Sequence, residues 1–153
     1  MDVVADQFPD SIIIHTHRNP LECVPSFFSM VYHSRRVFSD KVDPMLCANH
    51  WLRKNVDMLQ KMMDFRDRHP NFSVFDIYYD QLVKDPIAVL RQIYDQLDCE
   101  IDPVLEKTFL NSMKQHKKNK YGVHRYSIKD FGMDESKLKA AFEFYTDRYF
   151  RHE

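Results

Sequence analysis

The chain has 153 residues, a length that fits one domain with one core, and 44% apolar and 14% aromatic residues are ample to fill it. A net charge of −1 indicates neither a nucleic-acid partner nor an electrostatic membrane partner for the chain as a whole. The only glycines, Gly122 and Gly132, cannot build a Gly-rich phosphate loop of the Walker or dinucleotide type, which disfavours the common ATP and NAD folds. Cys23, Cys47 and Cys99 are odd in number and widely spaced, which points to a reducing, cytoplasmic setting and away from a disulfide framework or a zinc site. The acidic N-terminus is unlike a signal peptide, and no apolar segment is long enough to span a membrane.

In chain order, residues 1–9 read as the tail of a helix. Residues 11–17 read as a short, β-branched, buried strand of parallel type, bounded by Pro9-Asp10 and Asn19-Pro20. Asn19 is placed to cap a helix, Pro20 to open it, and Glu22 falls at the capping-box position. Pro25 removes a backbone donor inside that helix and predicts a kink before Ser26. Residues 45–66 carry the longest helical pattern, with Leu52, Val56, Leu59 and Met63 as its stripe, and His69-Pro70-Asn71 ends it. Residues 72–79 read as a second strand. Asp85-Pro86 then caps a helix whose inner face is Val89, Leu90, Ile93, Tyr94 and Leu97. Residues 103–112 add a short helix, a basic stretch runs from Lys114 to Arg125, and residues 134–150 form a closing helix with Leu138, Phe142, Tyr145 and Tyr149 as its stripe. This order predicts a helix-rich α/β chain with a small parallel sheet. Two strands leave both sheet edges open, so the expectation over 1–153 is a single, partial domain.

The residues with chemical potential gather where the first strand meets its helix. Arg18 offers a planar fork of donors suited to phosphate, and the helix start after it offers backbone N–H groups and the positive end of a dipole. Ser26, eight residues on, adds a hydroxyl. At the carboxyl end of a strand in an open α/β sheet, this set predicts a phosphorylated ligand. Lys114, Lys117, Lys118, Lys120 and Arg125 have no acidic residue between them. A run of charge is usually a solvated loop, but beside Arg18 and Ser26 it offers cations for a doubly charged phosphate, with Lys118 and Lys120 as the candidates. A tyrosine at a strand end, as Tyr79 is, is commonly core, and Trp51, on a helix, fits the core better than a base or substrate it could stack on. His15 and His17, two apart on a strand, face one side, but no acidic or cysteine residue stands at a suitable spacing, so no metal site is expected.

Ile14-His15-Thr16-His17-Arg18-Asn19-Pro20 with Ser26 resembles the 3′-phosphate motif of sulfotransferases that use 3′-phosphoadenosine-5′-phosphosulfate (PAPS). The segment Ile77-Tyr78-Tyr79-Asp80-Gln81-Leu82-Val83-Lys84-Asp85-Pro86 resembles the family's strand-turn-helix, which implies that Tyr79 lies near the adenine. The segment from His124 to Met133 is similar to the family's closing segment, after its basic 3′-phosphate loop. The resemblance implies a P-loop-NTPase-like sulfotransferase fold, PAPS as co-substrate without a metal, and a small-molecule or glycan acceptor carrying a hydroxyl or amine.

The same resemblance exposes a gap. The family begins with a strand and a Lys/Ser/Thr-rich loop that cradles the 5′-phosphosulfate, and a general base usually follows it. Only seventeen residues precede Arg18 here, and none supplies that loop or base. The expectation is an N-terminally truncated sulfotransferase domain with an unassigned catalytic base and weak or absent sulfuryl transfer by this chain alone. The alternative is a degenerate paralogue or noncatalytic helical interaction module, associating, including with itself, through faces rich in its eight methionines and twelve phenylalanines. A nucleotide-kinase-like reading shares the α/β plan but lacks the Gly-rich loop.

Overall fold

Ile13–His17 (β1) and Val74–Tyr78 (β2) pair in parallel in the computed structural model, which describes residues 1–115 and 127–151. Ile13 stands opposite Val74, His15 opposite Asp76 and His17 opposite Tyr78. No further strand joins this sheet among the described residues. The helices are α1 (Asp2–Gln7), α2 (Pro20–Arg36), α3 (Pro44–Arg68), α4 (Tyr79–Lys84), α5 (Pro86–Gln96), α6 (Pro103–Gln115) and α7 (Glu135–Tyr149), with a 3₁₀ turn at Ile128–Phe131.

One local device starts four of these helices. Asn19-Pro20, Asp43-Pro44, Asp85-Pro86 and Asp102-Pro103 each put a side-chain acceptor at the cap and a proline at the first helical position, where the missing N–H costs nothing. Asn19 Oδ1 accepts from Leu21 N at 3.0 Å, and Asp43 Oδ1 from Met45 N at 2.7 Å and Leu46 N at 3.1 Å. Asp85 Oδ1 accepts from Ala88 N at 3.0 Å, and Asp102 Oδ1 from Val104 N at 2.7 Å.

The described residues divide into two compact units. In the first, residues 1–2, 18–70 and 127–151, α2 and α3 pack on each other and on α7. Val24 and Phe28 of α2, Ala48 and Leu52 of α3, and Leu138 and Phe142 of α7 share one buried cluster with Phe131 and Met133. Trp51 packs against this cluster and meets Phe27 edge-on at 5.2 Å, so its role is packing, as a helix tryptophan suggests. In the second unit, residues 3–17 and 71–115, α5 packs on β2 and on α6. Ile77 and Val89 are its buried apolar residues, and Arg91 Nη2 donates to both carboxylate oxygens of Glu106 at 2.9 and 2.8 Å.

Four details differ from the sequence reading. Helix α2 runs unbroken through Pro25, which is buried; proline there forfeits the one bond to the Leu21 carbonyl, and its ring packs inward instead. Strand β1 is not buried on both faces: Ile14 is 45% exposed and Thr16 is exposed, because a two-stranded sheet leaves that face uncovered. Strand β2 ends at Tyr78, and Tyr79 opens α4. Leu97 is 43% exposed, because α5 has already ended at Gln96.

Candidate functional site

Arg18 leaves β1 and immediately precedes the cap of α2, and Ser26 lies in the second turn of that helix. The Arg18 side chain is 40% exposed, and its Nε donates to Glu22 Oε2 at 3.4 Å. Glu22 thus turns toward Arg18, one helical turn away, and not to the capping-box bond that its position suggests. An exposed pair at this distance is weak and open to exchange for a stronger anion.

The backbone donors at the helix start are already used. Pro20 has no N–H. Leu21 N is held by the Asn19 side chain, and Glu22 N and Cys23 N donate to the Asn19 carbonyl at 3.0 and 3.2 Å. The expected row of unpaired N–H groups is therefore closed by the cap. An anion at this turn would be met by side chains, with the helix dipole as a background field. Burial pushes the Cys23 thiol up, against the pull of Arg18, so Cys23 is no thiolate nucleophile beside this turn.

Tyr79 is half-buried at the first position of α4 and belongs to the other compact unit. Lys118 and Lys120, with Lys117 and Arg125, lie outside the described residues.

Sequence reasoning missed one grouping. His15 and His17 share a face of β1, as their spacing requires, with ring centroids 4.1 Å apart. The pair does have a carboxylate beside it: Asp76 of β2 stands opposite His15 in the parallel register. Its Oδ1 is 2.8 Å from His17 Nε2 and 3.8 Å from His15 Nδ1. Tyr78 stacks on the His17 ring at 5.2 Å. Asp76 lies 59 residues from His17 in sequence, so no local spacing could bring it into view. A strand register from the alternation of residues 72–79 was the one signal available.

Comparison with known families gives a match to the Sulfotransferase family over residues 1–103, about two thirds of the chain. The chain belongs to the sulfotransferase family. The matched region includes Arg18, Ser26, Tyr79 and the whole sheet, and stops before the basic stretch. Among solved structures, the sulfotransferase STF9 of Mycobacterium avium is similar with a TM-score of 0.84 at 20% identity, over 97% of this chain and 38% of that one. The sulfotransferase STF1 of Mycobacterium tuberculosis is similar with a TM-score of 0.76 at 19% identity, over 92% of this chain and 35% of that one. The fold is thus the sulfotransferase fold, and the chain spans less than half the length of these two sulfotransferases. No curated protein matches it. Among the described residues, no helix is long and apolar enough to cross a membrane.

Proposed function

We propose that the chain binds PAPS by its 3′-phosphate, against Arg18 and Ser26, as part of a sulfotransferase acting on a hydroxyl or amine of a small molecule or glycan. The observation that carries this reading is the turn between β1 and α2. Its backbone donors are paired within the cap, while a half-exposed guanidinium precedes it and a serine follows two turns on. A phosphate there would gain charge-assisted hydrogen bonds from Arg18. Tyr79 beside the adenine, and Lys118 and Lys120 on the 3′-phosphate, are proposals that rest on the family resemblance. PAPS supplies the activated sulfuryl group, and the acceptor's proton must pass to a base. We assign neither that base nor the clamp on the 5′-phosphosulfate to a residue of this chain, so we propose weak or absent turnover for it alone. The three free cysteines support a reducing, cytoplasmic setting.

Calorimetric titration with adenosine 3′,5′-bisphosphate tests the site. Binding by the wild type that falls by about tenfold or more in Arg18→Ala, and by less in Ser26→Ala, is the expected result; a hydrogen bond to a charged group contributes about 1.5–3 kcal/mol. No binding by a well-folded chain overturns it. Robust acceptor-dependent turnover of PAPS with simple phenols or alcohols would overturn the statement on activity. A second reading, a noncatalytic association module, draws on Val37 and Phe38, neighbours just past α2 that are 77% and 89% exposed. It predicts an oligomer on size exclusion that is indifferent to the nucleotide and dissociates in Phe38→Ser.

A further inference from the structure

We propose that His15, His17 and Asp76 form a binding site for a divalent transition cation of the zinc or cobalt type. The site stands apart from the PAPS reading and needs nothing from it.

The three residues come from the two strands of one parallel pair, and all three donor atoms lie within 4.8 Å of one another. A tetrahedral ion with bonds of about 2.0–2.2 Å wants its ligand atoms roughly 3.3 Å apart. The observed separations from Asp76 Oδ1, 2.8 Å to His17 Nε2 and 3.8 Å to His15 Nδ1, fall on either side of that value. The two histidine donors lie within 4.8 Å of each other, so closing the set on an ion asks for side-chain rotation that brings them up to about 1.5 Å nearer, a movement that side-chain torsions supply.

The set is also held in place before any ion arrives. The register fixes Asp76 opposite His15, and strand alternation fixes both histidines on one face. The His17 ring lies 4.1 Å from the His15 ring and stacks on the Tyr78 ring at 5.2 Å, and its side chain is fully buried. Burial is uneven in a useful way. The side chains of His15 and Asp76 keep 18% and 27% of their exposure, so an ion could enter from their side and hold a further ligand there. Three protein ligands with one open position is the arrangement of zinc sites that bind a water or a substrate group.

The ligand types narrow the ion. Two imidazoles and one carboxylate suit Zn²⁺, Co²⁺ or Fe²⁺, whereas Mg²⁺ and Ca²⁺ prefer oxygen donors throughout. The competing account of the same geometry is a structural hydrogen bond from His17 to Asp76 with no ion. Coordination would require His17 Nε2 to give up its proton to the other ring nitrogen or to solvent, so the two accounts exclude each other at that atom.

Cobalt titration separates them. Untagged, folded chain would be titrated with Co²⁺ and followed by visible absorption, then back-titrated with Zn²⁺. The expected result is one equivalent of Co²⁺ with the intense bands of a four- or five-coordinate ion, displaced by Zn²⁺. His15→Asn and Asp76→Asn should each weaken binding by more than about tenfold, since loss of even an outer-shell partner commonly costs that much. His50→Asn, on α3 and outside the cluster, should leave it unchanged. Absence of the bands overturns the proposal, as does equal affinity in His15→Asn, which would place the ion on histidines elsewhere. Should Asp76→Asn fail to fold by circular dichroism, the half-buried His15 decides the matter alone.

Discussion

Arg148 of α7 grips Asp67, next to last in α3, with two hydrogen bonds of 2.6 and 2.9 Å. The pair ties α7 to the C-terminal end of α3, and the guanidinium holds the Asp67 carboxyl below the usual carboxylate range. Asp2 is held low in the same way by Arg68, 2.7 Å away. A carboxyl depressed in the folded state adds stability that is complete above its unfolded value, about pH 4, and is lost as pH falls through the folded value. Urea midpoints measured between pH 6 and pH 2 should therefore drop more steeply for the wild type than for Arg148→Met, and the two curves should converge at the acid end. Parallel curves would show that the pair contributes nothing.

The helical unit depends far more on its apolar seam than on such pairs. Phe142 is 1% exposed within the cluster of Phe28, Leu52, Phe131 and Leu138. Phe142→Ala removes a ring from a closed interior and should cost about 3–5 kcal/mol, a large share of the ~5–15 kcal/mol that holds a typical domain. Phe142→Leu should cost clearly less. Denaturant midpoints give both values, and equal losses would mean that the ring is not tightly packed.

Much of this fold was legible because its helices start and stop on local signals. The stripe of α7 reads as Leu138, Phe142, Tyr145 and Tyr149; the first three are buried, and Tyr149, at the end of the helix, is half-buried. Asn19-Pro20 and Asp85-Pro86 mark their helices, and Asp43-Pro44 and Asp102-Pro103 carry the same signature for α3 and α6. The misreadings came where tertiary context outweighs local preference. Pro25 is accommodated inside α2 because its ring finds a buried place, and Ile14 stays exposed although its β-branched run reads as buried on both faces.

Gly132 ends the 3₁₀ turn with φ of +63°, a conformation in which a side chain is strained, and a Cβ there would also come within 2.6 Å of Met45 Cε. Which effect dominates is testable. Met45 is 50% exposed and its thioether end can swing aside, so the backbone strain should win. Gly132→Ala should cost about 1–2 kcal/mol, and adding Met45→Ala should not recover it. A double-mutant cycle reads the coupling, and recovery of most of the loss would make the clash the cause.

The candidate site was half legible. Arg18, Ser26 and Tyr79 stand on local motifs, and the structure keeps Arg18 and Ser26 at the start of one helix. The pairing of the α2 backbone donors was not readable, since a cap sequence announces itself equally well whether its N–H groups stay open or close on Asn19. Asp76 beside His17 was out of reach for another reason: it depends on the register of two strands separated by the whole of α2 and α3.

That closed cap makes Glu22 the residue to change first around Arg18. Its carboxylate lies 3.4 Å from Arg18 Nε and is 55% exposed, so it occupies the guanidinium that a phosphate would need. In water, a unit charge about 7 Å from a phosphate costs roughly 0.6 kcal/mol per unit of phosphate charge. Glu22→Gln removes that repulsion and the competing carboxylate while keeping side-chain size. Affinity for adenosine 3′,5′-bisphosphate should rise about two- to eightfold at low salt, and the gain should shrink toward 1 M salt, where the screening length is about 3 Å. Loss of affinity in Glu22→Gln would mean instead that Glu22 holds Arg18 in its binding posture, with the pair acting as one unit. Isothermal titration at two salt concentrations distinguishes the two roles, because a positioning defect persists at high salt and a charge effect does not.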